Sequence, residues 1–217
     1  AVRAAVGPDF PVSVKLNSAD FQKGGFDFED SLQVAAWLEA ASVDLIEISG
    51  GTYEQPKLLG VEGMEEVDEQ HVAKSTQMRE AYFVDFALAM QEKVSIPLMV
   101  TGGFRRRDVM EQAISSGGAD LIGVGRPMCV MTDAPAQLLA GLEELPRYEN
   151  ELALFPSWLS FLSRLKAIRP LVIFAVMYWY YAQLETIGRK GKANQSLTVF
   201  AATKRIMAQQ KELLPPR

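Results

Sequence analysis

Two glycine-rich segments carry the clearest chemistry in this sequence. Thr101-Gly102-Gly103-Phe104 offers backbone N–H groups with almost no side chain in front of them. Gly123-Val124-Gly125-Arg126-Pro127 does the same and adds a guanidinium. Each follows a short apolar run of strand character. Glycines at such a place can serve only to permit a tight turn into the next helix. Two glycine-rich ends in consecutive units, the second with an arginine, suit an anion better: backbone donors for phosphate oxygens and a bidentate fork from Arg126. Neither segment has the spacing of a dinucleotide fingerprint or a Walker loop. A third residue of interest is Lys15, inside the apolar run Val12–Leu16. Alternation puts Val12, Val14 and Leu16 on one strand face and Ser13 and Lys15 on the other. A lysine pointing into a barrel would need an anion or a ligand acceptor, unless its stem snorkels to solvent.

The elements that must position these residues follow from the apolar pattern. Four short runs are predicted as buried strands: Val12–Leu16, Asp44–Ile48, Pro97–Thr101 and Asp120–Val124. Helical patterns separate them: one with Leu32, Ala35, Ala36 and Leu38, one over about Thr76–Glu92, and one over Arg107–Ser116 that ends at Gly117-Gly118. Between Tyr53 and Lys74 the chain is polar, acidic from Glu62 to Glu69, and predicted as a long functional or mobile loop. The first two-thirds is thus β-loop-α four times over, the signature of a parallel sheet with helices on its faces. Open doubly wound sheets and barrels both satisfy it, and both place ligands at the C-terminal strand ends. Beyond Asp133 the pattern predicts helix throughout, in pieces broken by Pro146, Pro156, Pro170 and Gly188/Gly191.

Composition narrows the classes of function. The chain has 217 residues, 22 basic against 27 acidic, 48% hydrophobic and 23% charged, enough apolar content to exclude wholesale disorder. A net charge of −5 argues against a nucleic-acid grip. A single cysteine, Cys129, and a single histidine, His71, exclude an internal disulfide framework and argue against a Cys- or His-based metal site, so no metal is expected. No secretory apolar run opens the chain, and a reducing, cytoplasmic compartment is expected. The longest apolar run, LVIFAVMYWYYA at 171–182, would rise about 18 Å as helix against a hydrocarbon core of about 30 Å. It is expected to be a buried or interfacial helix, with a membrane-surface anchor as the alternative and no membrane span.

Five separated blocks together resemble one family. VKLNSADFQKGGF (14–26), LEAASVDLIEISGGTYE (38–54), REAYF (79–83), PLMVTGGFRRR (97–107) and GADLIGVGRP (118–127) are similar, in order and spacing, to the NADH:flavin oxidoreductase, or old yellow enzyme, family. The resemblance runs over roughly residues 8–145. It implies an α/β fold of TIM-barrel type, with the four units here as strands five to eight of a (β/α)8 barrel that holds FMN at its C-terminal mouth. Residues 1–145 would be the second half of that barrel and 146–217 a helical extension. Gly102, Gly103, Phe104, Gly125 and Arg126 would hold the FMN phosphate. Lys15 takes the place of the family's basic residue beside the flavin N1/O2 edge, where a cation stabilises negative charge on the reduced ring. Ser49, Gly50 and Gly51 would border the flavin, and Tyr53 would lie near the substrate entrance. The activity implied is hydride transfer from NADH or NADPH through FMN to an activated alkene.

The resemblance also implies what the chain lacks. In the family, the substrate-gripping His/Asn or His/His pair and the tyrosine proton donor come from the first four strands, and neither can be located here; catalytic residues are therefore unassigned. His71 is expected to be an ordinary loop histidine. A truncated product, one part of a split enzyme and a half barrel that pairs with a second copy would each account for such a chain. Two rivals remain beside the ene-reductase reading: another phosphate-binding barrel of the dihydrouridine synthase or inosinate dehydrogenase type, and a non-catalytic half barrel that binds phosphate ligands or a partner. The aromatic cluster Tyr178, Trp179, Tyr180 and Tyr181 suits a docked extension, a cap over the substrate mouth or a subunit contact.

Overall fold

The structure is a computed structural model that describes residues 1–20, 24–49, 86–165 and 167–213. It divides into two compact units, Ala1–Val124 and Gly125–Arg217.

The first unit is built on four parallel strands in the order β1-β2-β3-β4: β1 Ser13–Asn17, β2 Leu45–Ser49, β3 Leu98–Thr101 and β4 Leu121–Gly123. Its helices are α1 Val2–Val6, α2 Phe28–Ala40, α3 over residues 86–91 and α4 Arg107–Ser115. All four expected strands form, and each begins one residue later than its apolar run does. At two of these starts an aspartate is responsible. The Asp44 N–H donates to the Val12 carbonyl at 2.9 Å, while the Val12 N–H donates to Asp44 Oδ2 at 2.7 Å. Asp120 repeats the clasp on Leu98, donating to its carbonyl at 2.9 Å and accepting its N–H at 2.8 Å. A side chain thus closes the bottom of the β1/β2 and β3/β4 pairs. Arg3 of α1 reaches the Asp44 carboxylate as well.

Alternation then divides the sheet. Val14, Leu16, Ile46, Ile48, Leu98 and Val100 occupy one face, with Ile46, Ile48, Leu98 and Val100 fully buried. Buried Leu32 and Ala35 of α2, Phe86, Ala87 and Met90 of α3, and Met110 and Ala113 of α4 supply the matching apolar stripes. Phe28 and Phe86 join α2 to α3 edge to face at 4.6 Å between centroids. α2 starts on a reciprocal cap: Asp27 accepts the Asp30 N–H at 3.0 Å and Asp30 accepts the Asp27 N–H at 3.2 Å, a device worth about 1 kcal/mol. α4 ends as expected, with Gly117 at φ 77° just beyond it. The opposite face carries Lys15, Glu47, Met99 and Leu121 in one register row.

The second unit contains α5 Ala134–Leu139, α6 Arg169–Lys190 and α7 Val199–Leu213, with short 3-10 turns at Arg126–Cys129, Tyr148–Asn150 and Ser157–Arg164. The expected all-helical tail is corrected in three places. Residues 140–165 and 167–168 are turns, irregular chain and 3-10 segments rather than α-helix. Pro170 does not break a helix but opens α6, where a missing N–H costs nothing. Gly188 lies inside α6, and only Gly191, at φ 72°, ends it. The apolar run 171–182 is the body of α6, which buries Ala175, Trp179, Tyr180, Ala182, Gln183 and Thr186 and exposes Leu171, Phe174, Tyr181 and Leu184. Among the described residues no helix is long and apolar enough to cross a membrane. Val130, Trp179, Val199, Ala202 and Ile206 form the core here. Glu185 ties α6 to α7 through Arg205 at 2.8 Å and Gln209 at 2.9 Å.

The Asp44 clasp makes a pH prediction. The Val12 N–H, and then the Arg3 guanidinium, hold its carboxyl below the ordinary value of 3.8. A carboxyl lowered in the folded state stabilises it above the unfolded value, and that stabilisation fades as pH falls towards the folded value. Asp44→Asn is therefore expected to lower the urea midpoint near pH 6, with the gap to the parent protein closing only as pH falls below 3.8 and through the lower folded value. Parallel midpoint curves across that range would refute the clasp.

Candidate functional site

The C-terminal ends of the strands bring polar and bare residues together. Asn17 of β1 is in register with Ser49 of β2, and Thr101 of β3 with Gly123 of β4. Gly123 is required by packing: a Cβ there would lie 1.7 Å from Thr101 Oγ1 and 2.7 Å from Thr101 Cβ. The Thr101 hydroxyl is buried and has no hydrogen-bond partner among the described residues, and the same holds for Asn17 Oδ1 and Ser18 Oγ. Buried polar atoms are normally satisfied, and these three lie at or just past the C-terminal ends of β1 and β3; Arg105 Nε and Glu185 Oε2 are the others of this kind among the described residues.

Beyond Thr101 come Gly102 and Gly103, the latter at φ 78°, a conformation that favours glycine. Phe104 follows with its side chain 1% exposed. Its ring anchors the turn in the core, so the contact it can offer a ligand is its backbone N–H. Arg105, also buried, donates from Nη1 to the Phe104 carbonyl at 3.0 Å.

One row further into the sheet, Lys15 Nζ donates to Glu47 Oε1 at 2.6 Å. The lysine is the more open partner, 55% exposed against 21% for the glutamate. The expected anion for Lys15 is thus supplied partly by the chain itself. Sequence reasoning passed over Glu47, although a charged residue inside Leu45–Ser49, at the alternation phase of Lys15, was a visible signal.

In the second unit, Gly125 precedes the 3-10 turn Arg126–Cys129, whose Pro127 is buried. A Cβ on Gly125 would meet nothing within 4 Å. Arg126 is about one-third exposed and forms an ion pair through Nη1 with Glu149 Oε1 at 3.1 Å. The other oxygen of Glu149 accepts the Tyr180 hydroxyl, also at 3.1 Å. Burial pushes the nearby Cys129 thiol up, against the opposing pull of Arg126. Glu149 and Tyr180 went unassigned in the sequence as partners of Arg126. Of the aromatic cluster, Trp179 and Tyr180 are buried, Tyr178 hydrogen bonds Gln210 at 3.3 Å, and Tyr181 is exposed. Gly50, Gly51, Tyr53 and His71 lie outside the described residues.

A parallel α/β sheet with orphaned polar groups and bare glycines at its C-terminal ends is the frame of a ligand-binding enzyme fold. A family model for the NADH:flavin oxidoreductase / NADH oxidase family matches residues 1–144, and the chain belongs to that family. It is 31% identical over 194 residues to the NADH-dependent flavin oxidoreductase iccE of Talaromyces variabilis, covering 88% of this chain and 45% of that protein. It is 39% identical over 131 residues to the NADH-dependent flavin oxidoreductase iliE of Neonectria sp. (strain DH2), covering 60% of this chain and 17% of that protein. Among solved structures, a 2-naphthoyl-CoA reductase in complex with 2-naphthoyl-CoA shares the fold at a TM-score of 0.51 and 24% identity, over 64% of this chain and 19% of that one. The chain thus spans less than half the length of these relatives.

The tight Thr101–Gly123 approach gives a stability prediction. Gly123→Ala forces apart two paired strands, and overpacking of this kind costs about 1–3 kcal/mol. Urea unfolding should show a loss of that size, and Thr101→Ala should not rescue it fully, because the Thr101 Cβ remains. An unchanged midpoint would contradict the geometry.

Proposed function

We propose that this chain supplies the second half of an FMN-binding (β/α)8 barrel in an NAD(P)H-dependent oxidoreductase of the ene-reductase type. Residues 1–145 form the half barrel and 146–217 a helical extension. The bound flavin supplies two-electron hydride chemistry between a nicotinamide and an activated alkene. The residues of this chain bind it and set its surroundings. Backbone N–H groups of Gly102, Gly103, Phe104 and Gly125, with the guanidinium of Arg126, take the phosphate. Lys15, steadied by Glu47, presents a cation to the N1/O2 edge of the ring. The proton donor and the substrate-oxygen ligands come from the other half of the barrel.

The observation that carries this reading is the buried, unpartnered Thr101 hydroxyl beside the bare glycines at the end of β3, inside the region matched by the flavin oxidoreductase family. These residues fit a phosphate-bearing cofactor: a Cβ on Gly125 would meet nothing within 4 Å, Gly103 takes a positive φ, and the cation of Arg126 follows Gly125. Supporting it further, the four parallel strands end at β1 and β4 without closing a barrel among the described residues.

The test is FMN binding, followed by absorbance of flavin that co-elutes with the protein on gel filtration and by fluorescence titration. Arg126→Ala removes a charge-assisted hydrogen bond to phosphate and is expected to weaken FMN binding on the order of tenfold or more. Unchanged affinity in this variant would count against the assignment.

A further inference from the structure

The arginine assigned to the phosphate is held in place by residues outside the family match. Arg126 Nη1 meets Glu149 Oε1 at 3.1 Å, and Glu149 Oε2 accepts the Tyr180 hydroxyl at 3.1 Å. Both Glu149 and Tyr180 lie beyond residue 144, where the match to the family model ends. Tyr180 belongs to α6 and is only 6% exposed. Its ring packs edge to face on Trp179 at 5.3 Å between centroids. Trp179, 2% exposed, is tied by its Nε1–H to the Leu197 carbonyl at 2.7 Å. A continuous run of fixed contacts therefore leads from the α6–α7 connection to the guanidinium.

We propose that Glu149 and Tyr180 are positioning residues for Arg126, so that the C-terminal helical unit sets how tightly the phosphate end of the cofactor is held. This rests on the phosphate role of Arg126 proposed above. A guanidinium carries five N–H donors in a rigid plane, so it can hold a carboxylate with one edge and offer another to a phosphate. Left alone, an arginine loses much rotamer freedom when it binds an anion. Glu149 removes part of that freedom in advance, and the Tyr180 hydroxyl fixes the carboxylate that does so. The carboxylate also tempers the charge of Arg126, so Glu149 could in principle compete with the phosphate. Its geometry favours orientation: it meets the guanidinium at Nη1 and is itself held from behind by the buried tyrosine.

The experiment compares FMN with riboflavin, which has the same ring and no phosphate, by fluorescence titration of the full chain and its Tyr180→Phe, Glu149→Ala and Arg126→Ala variants. Tyr180→Phe keeps the ring in the core, and a urea midpoint verifies that each variant is folded. Tyr180→Phe and Glu149→Ala are each expected to weaken FMN binding roughly three- to tenfold, the size of one lost hydrogen bond, while riboflavin affinity changes less than about twofold. An equal loss for both flavins would mean a merely structural role and overturn the proposal. Tighter FMN binding in Glu149→Ala would make the carboxylate a competitor and overturn it too. If Arg126→Ala lowers the FMN preference while the other two variants leave it intact, the positioning role alone fails. If the parent chain shows no preference for FMN over riboflavin, the phosphate reading fails, and the positioning role with it.

Discussion

Everything in the first unit depends on the register of four parallel strands. Parallel pairing has no hairpin turn to fix it, and a slip of one residue exchanges the two faces of a strand. Here such a slip in β2 would bring Glu47 into the apolar core and turn Ile46 and Ile48 out of it. Two aspartates help prevent this. Asp44 and Asp120 each pair with the neighbouring strand through both backbone and carboxylate, at Val12 and at Leu98 respectively. Since the acceptor is a side chain at a fixed position, the clasp can close in one register only. The rows that matter for function follow from it: Lys15 beside Glu47, and Thr101 beside Gly123.

The same register explains why the strand ends tolerate groups that the rest of the sheet does not. Towards the helices, the sheet presents Val, Leu and Ile whose burial needs no partner. On the opposite face, at the C-terminal ends, Thr101 is pressed so closely against Gly123 that no side chain can stand there. Close packing of two strands and an unsatisfied hydroxyl at one position are individually costly. A fold under selection for stability alone would place a small apolar residue at 101. The combination makes sense where another molecule completes the hydrogen bonding.

The four strands of the first unit and α2 and α4 were largely legible because buried parallel strands are nearly continuous apolar runs, and each is followed here by glycine or a helical stripe. The one-residue delay in the strand starts was not, because it comes from long-range side-chain clasps. In the second unit the signals were ambiguous. Proline interrupts a helix in its interior and is harmless in the first turn, so Pro170 could be placed only once the start of α6 was known. Lys15 stood out as a charge inside an apolar strand and Arg126 as a charge beside glycines past a strand end, and both belong to ion pairs. Their partners differ in legibility. Glu47 lies on the next strand at the same alternation phase, whereas Tyr180 and Glu149 are 31 residues apart and leave no local pattern.

Within α6, Trp179, Gln183 and Thr186 find hydrogen-bond partners for the polar groups they bury. Trp179 Nε1 donates to the Leu197 carbonyl, and the Thr186 hydroxyl donates to the Ala182 carbonyl at 2.6 Å. Gln183, with no exposed surface, donates to the Asn194 carbonyl at 2.9 Å and accepts the Asn194 N–H at 2.7 Å, so it serves the turn before α7 as a second backbone would. Those residues have structural work only, and their partners lie inside the unit. Asn17 Oδ1, Ser18 Oγ and Thr101 Oγ1 are buried atoms too, yet they have no such partners. Burial of polar groups is therefore no sign of function by itself in this chain.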